Sequence, residues 1–202
     1  MAWSFTIDAR SVGLIQDITL GKIIGTTFSF IKPNWYVTAK HVILDYGQIR
    51  EHLVVLLDGE LPIRARVLFV HSELDLAMLE VERGVCERPL FPSHLLFADT
   101  NGLLAASYAP SKRHLNGAPC VYLTEIPTFE LQIRERQNFN EETIVFIASE
   151  SEGGHSGGPI FGAGGGVVGV IIENFRDDKH VLARGTNIIP LVENLTLVPT
   201  CD

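Results

Sequence analysis

Almost nowhere does this chain keep a 3.6-residue apolar period, so its fold cannot be built on helices. The exceptions are one turn after His41 and a short stretch at 191–195. Its texture is one of short β-rich runs cut by Gly, Pro, Asn and Asp. In the first half these are 22–31, 34–38, 53–57, 63–70 and 75–81; in the second, 103–108, 121–125, 128–134, 143–148, 167–172 and 180–189. Many short strands with frequent turns argue for an all-β sandwich or barrel. Residues 83–100, with Pro89 and Pro92 and few strand formers, read as a connector, which leaves two similar β units joined near residue 90. The glycine-rich run 162–166 is too brief for a linker and reads as a hairpin turn.

With 46% apolar and 20% charged residues over 202 positions, the chain can bury a core of its own. A formal charge of -8 argues against nucleic acid or acidic membranes as partners. Cys86, Cys120 and Cys201 are odd in number and widely spaced, which suits neither a disulfide framework nor a zinc site. No ligand constellation suggests a metal or an organic cofactor. The start lacks the basic and apolar regions of a secretory signal, so a cytoplasmic protein is expected.

The densest chemical signal is Glu152 to Pro159, EGGHSGGP. Glycines on both sides of Ser156 permit unusual backbone angles and let a substrate carbonyl approach the main chain. Successive N–H groups can then converge where an oxyanion would form. A glycine-rich surface turn that merely contains serine is the plainer alternative. A serine hydroxyl needs a base, and His41, just after the β-rich NWYVT run, is the histidine best aimed by a rigid element. His52, His71, His94, His114 and His180 read as surface or loop residues. An orienting carboxylate should be held inside the protein; Asp75, between Leu74 and Leu76 before an apolar strand, fits better than Asp45 or Asp58 in their turns. For an Asp in that place, simple turn chemistry is the competing reading.

Together TAKH at 38–41, DLAML at 75–79 and GHSGGP at 154–159 resemble the three signature blocks of trypsin-like peptidases. The look is most similar to the bacterial HtrA/DegP-type protease domain, with further agreement in GTTFSFI, GGVVGVI and RGTNIIP. The resemblance implies two packed six-stranded Greek-key β-barrels, 1–90 and 91–202, with a short C-terminal helix. It implies a serine endopeptidase with Ser156 as nucleophile, His41 as base and Asp75 as orienter. Gly154 and Ser156 N–H groups would form the oxyanion hole. The strand through Ile171, Ile172 and Glu173 would pair with an extended protein or peptide substrate. By the family's spacing Glu150 floors the primary pocket and would favour Arg or Lys; it reads equally as a solvated loop acid. His155 stands where digestive trypsins have an aspartate that receives a newly cut N-terminus, and no IVGG-like start is present, so activation of that kind is not expected. Two further readings follow: a latent enzyme switched on by a protein partner, and a catalytically silent binding module on the same fold. The pattern G-x-S-x-G also fits a hydrolase elbow, but Gly-Gly-Pro after the serine opens a helix poorly, and only His180 follows.

Overall fold

In the computed structural model the described residues are 6–93, 103–113, 119–126, 143–147, 154–162, 164–176 and 181–195. The all-β expectation holds, with strands throughout and helices of only a few residues. In the first half, β1 (Val12–Asp17), β2 (Lys22–Phe30), β3 (Lys32–Thr38), β6 (Leu53–Leu56), β7 (Ile63–Val70) and β8 (Ala77–Val81) close into an antiparallel barrel of order β1-β2-β3-β8-β7-β6. Between β3 and β6 the chain crosses one end of the barrel through α1 (Lys40–Ile43) and a small hairpin, β4 (Leu44–Asp45) and β5 (Gln48–Ile49). Strand β1 was absent from the sequence reading. It is short and carries Gly13 inside it, and its nearly continuous burial erases any alternation.

The second half is a six-stranded antiparallel sheet of β9 (Leu103–Arg113), β10 (Pro119–Ile126), β11 (Thr143–Ile147), β12 (Pro159–Phe161), β13 (Val167–Arg176) and β14 (Val181–Asn187). Its order, β10-β9-β12-β13-β14-β11, is the cyclic order of the first barrel opened at one place. Among the described residues no ladder joins β10 to β11, so the closure expected of a second barrel is not seen in them. The expected strand at 128–134 lies outside the described residues. The glycine run does turn the β12–β13 hairpin, and α2 (Ile189–Leu195) supplies the C-terminal helix.

Two apolar clusters hold this arrangement. One fills the first barrel, around Ile15, Tyr36, Ile43, Leu53 and Leu79. The other spans both halves, joining Phe28, Phe30 and Met78 to Leu104, Phe161, Val170 and Leu191. The connector stitches the same seam: Leu90 bonds to the backbone of Ser29 and Ile31, and three residues later Ser93 N–H bonds to Val167 O. Among the described residues no helix is long and apolar enough to cross a membrane.

The excursion that carries α1 is fastened by Arg50, which pairs with Asp17 and, at 3.5 Å, with Asp45. Arg50 N–H bonds to the Ile43 carbonyl at 2.9 Å, and its guanidinium meets Asp17 at 2.7 Å. Burial pushes the Asp17 carboxyl up, but the Arg50 bond and the N–H groups of Leu20 and Thr19 outweigh it, so its pKa lies below the ordinary value. A depressed folded pKa stabilises the protein above the unfolded value of about 3.9, and that contribution is lost as pH falls through the folded value. Asp17→Asn is therefore expected to lower stability by about 1–3 kcal/mol at neutral pH. In urea denaturation the gap from wild type should close as the pH approaches about 2.

Candidate active site

Strand register brings His41 and Asp75 together. Thr38 at the end of β3 pairs with Ala77 at the start of β8. A residue three beyond the one and a residue two before the other must therefore meet at that end of the barrel. His41 Nδ1 lies 2.6 Å from Asp75 Oδ2, and the His41 backbone N–H donates to Asp75 Oδ1 at 2.8 Å. Both carboxylate oxygens are engaged, so ring and main chain are held to one carboxylate. With Nδ1–H donating to Asp75, the Nε2 lone pair is left free to accept a proton. Asp75 is less enclosed than its leucine neighbours suggested: its side chain keeps 29% exposure, and that of His41 48%.

Ser156 arrives from the other half, three residues before β12. Gly25 on β2 marks the meeting point: a Cβ placed there would come within 2.7 Å of Val42, next to His41, and within 3.1 Å of the Ser156 carbonyl oxygen. Ile172 of β13 packs against the core of the first barrel, bringing a third element to the same seam. Ser156 Oγ is 3.5 Å from the Ile172 carbonyl, too long to commit its proton there.

Thr26, fully buried on β2, holds the serine loop in place. Its N–H donates to Ser156 O, and its hydroxyl donates to Gly154 O while accepting from Tyr108 N–H, each at 2.8 Å. Thr38 Oγ1 completes the knot by donating to Thr26 O at 2.8 Å. With Gly154 O turned inward to Thr26, the loop runs at φ 106° there and 90° at Gly157, angles that only glycine adopts freely. A Cβ at Gly157 would lie 2.0 Å from Thr26 O, so the glycine pattern reflects contact across the seam as much as loop freedom. Among the described residues, neither the Gly154 nor the Ser156 N–H donates to a protein acceptor.

Strand β13 borders the serine. Its pairing with β14 slips between Ile171 and Glu173, so Ile172 is the extra residue of a bulge, a feature that re-aims a strand beside a site. Strand β12 pairs with β13 only as far as Val170, and Gly157 N–H continues to Ile171 O at 2.7 Å. Beyond that point β13 has β14 on one side and, among the described residues, no strand on the other.

Glu150 lies outside the described residues, as do His94, His114 and His180. His71 lies in a loop, as the sequence reading allowed, but not at the surface: it is buried at 8% exposure and packs edge-on against Phe69. His155 is also buried. Thr26, Tyr108 and Gly25 were not singled out from sequence, since a threonine in a strand reads as a β-former and nothing local reveals a partner more than eighty residues away. Burial pushes the Cys86 thiol pKa up, which keeps it an unreactive core residue. Among the described residues no group of three or more His, Cys, Asp or Glu is placed to hold a metal ion.

The family described as the trypsin-like peptidase domain matches residues 25–170. No curated protein matches by sequence. Among solved structures, the inactive form of Rv3671c protease aligns with TM-score 0.67 and 20% identity, over 95% of this chain and 90% of that one. The active form of the same M. tuberculosis protease gives 0.67 and 22%, over 93% and 80%. The HtrA-type protease AlgW with a tripeptide gives 0.67 and 16%, over 93% of this chain and 60% of AlgW. Active and inactive forms align equally well, so the likeness speaks to fold and not to catalytic state.

Thr26→Val keeps the shape of the side chain and strands Gly154 O and Tyr108 N–H. It is expected to cost about 1–3 kcal/mol in denaturant unfolding, while Thr27→Val, whose hydroxyl bonds only within its own barrel, to Val37 O, leaves the serine loop untouched.

Proposed function

The chain belongs to the trypsin-like peptidase family, and from that premise we propose that it is a serine endopeptidase acting through Ser156, His41 and Asp75. The observation that carries the reading is the bidentate grip of Asp75 on His41, by ring and backbone, at the seam where Thr26 presents Ser156. Ser156 Oγ attacks the scissile carbonyl as His41 Nε2 takes its proton. The tetrahedral oxyanion receives the N–H groups of Gly154 and Ser156. Collapse releases the amine, which takes the proton from His41, and leaves an acyl-enzyme. Water, deprotonated by His41, then cleaves the ester and restores Ser156. Asp75 stabilises the imidazolium formed in each half without taking the proton itself.

An extended peptide is the fitting substrate, because the edge of β13 from Ile172 onward, which pairs with no strand among the described residues, can accept it as an added strand. The Ile172 bulge sets where that pairing begins relative to Ser156. A preference for Arg or Lys through Glu150 and a cytoplasmic setting remain proposals from sequence.

A silent binding module on this fold is the competing class. The filled His41, Asp75 and Ser156 positions, together with two N–H groups that meet no protein acceptor among the described residues, favour chemistry over display. Control by an activating protein partner is compatible with the enzyme reading.

With a fluorogenic peptide library, Asp75→Asn is expected to lower kcat about 10⁴-fold, and Ser156→Ala to leave only residual turnover. Full turnover by dilute, isolated protein would rule out the partner-activated form. Turnover appearing only with host lysate, and absent in Ser156→Ala, would establish it. Wild-type and Ser156→Ala proteins equally inert under both conditions would support the binding module.

A further inference from the structure

The loop that presents Asp75 is organised by a residue outside the proposed Ser156, His41 and Asp75 set. Strand β7 ends at Val70 and β8 begins at Ala77, so residues 71–76 must reverse the chain while aiming one carboxylate at His41. The loop is closed at its base by His71 N–H donating to Leu76 O at 3.0 Å. Inside it, His71 Nδ1 lies 3.2 Å from Glu73 N and 3.0 Å from Leu74 N. Both partners are N–H donors, so Nδ1 accepts from each and the ring proton resides on Nε2. Leu74 is buried at 5% exposure, and its N–H would have no ready replacement for this acceptor.

A second tie runs beside the first. Lys40, the neighbour of His41, donates from Nζ to the His71 carbonyl at 3.0 Å. Lys40 with His71 and His41 with Asp75 thus form two parallel bridges between the start of α1 and the β7–β8 loop. Phe69 meets the His71 ring edge-on at 6.2 Å, which fixes its plane. The ring does not touch the reacting groups; it fixes the backbone on which Asp75 is carried.

We propose that His71 is a positioning residue whose neutral imidazole gathers the N–H groups of Glu73 and Leu74 and so holds the Asp75 carboxylate against His41. Its consequence for catalysis rests on the peptidase reading, but its effect on the His41–Asp75 bond does not. The substitution that separates positioning from bulk packing follows from bond counting. Asn Oδ1 stands as many bonds from Cα as His Nδ1 and can accept the same two N–H groups. Gln places its oxygen one bond further out, and Leu offers no acceptor.

The test is the low-field proton resonance of His41 Hδ1, assigned by its loss in His41→Ala, measured beside kcat and KM on a peptide substrate. His71→Leu is expected to fold but to lose or broaden that resonance, and to lower kcat about 10²-fold with KM unchanged. His71→Asn is expected to restore both readouts. Where the leucine variant fails to fold, His71→Gln carries the same expectation. A folded leucine or glutamine variant that keeps the resonance would overturn the proposal, as would an asparagine variant that behaves like leucine. If the resonance follows the expected pattern while no form of the protein cleaves peptide, the positioning role stands and the peptidase reading falls.

Discussion

One buried threonine sets the register between the two halves of the molecule. The groups proposed for the chemistry are divided: His41 and Asp75 belong to the first barrel, and Ser156 belongs to the second sheet. Reaction between them requires alignment to a fraction of an ångström. Apolar contact across the seam brings the halves together but does not fix their register, because hydrophobic burial is not directional. Thr26 supplies the direction, with its amide on Ser156 O and its hydroxyl shared between Gly154 O and Tyr108 N–H. Thr26 is fully buried, so each such bond is costly to leave unmade. Gly157 has no room for a side chain because Thr26 and Thr38 already occupy that space.

A similar logic appears on the histidine side. The β3–β8 register makes the encounter of His41 and Asp75 a consequence of the barrel, and the loop around His71 refines it. Backbone and side chain of His41 both answer to Asp75, so a shift of the carboxylate would be felt twice. The Arg50–Asp17 pair steadies the excursion through α1 that starts at Lys40. His41 and Asp75 therefore sit just outside the paired ends of β3 and β8, and the Ile172 bulge lies beside Ser156.

Much of this was legible in the sequence where the signal was local. Strands such as β2, β7 and β8 announce themselves through β-branched and aromatic runs between turn residues. The glycine setting of Ser156 and the strand-end setting of His41 mark a chemical function in one dimension. What escaped was tertiary in origin. Strand β1 is too uniformly buried to alternate, and β12 is three residues long beside glycines. His71 resembles any loop histidine until Phe69 and the buried Leu74 N–H are seen around it. Thr26 looks like a strand former, and its partners at positions 108, 154 and 156 have no local trace.

The central proposal is that Ser156 is the nucleophile, activated by His41 and Asp75. A fluorophosphonate reacts with a serine only where a base and an oxyanion hole are assembled. Treating the folded wild-type protein with such a probe and locating the adduct by peptide mass spectrometry reads this directly. The account predicts a single adduct, on Ser156, that disappears when His41 is replaced by alanine. A folded protein that carries no adduct either alone or with host lysate added, or carries it on another residue, would contradict it.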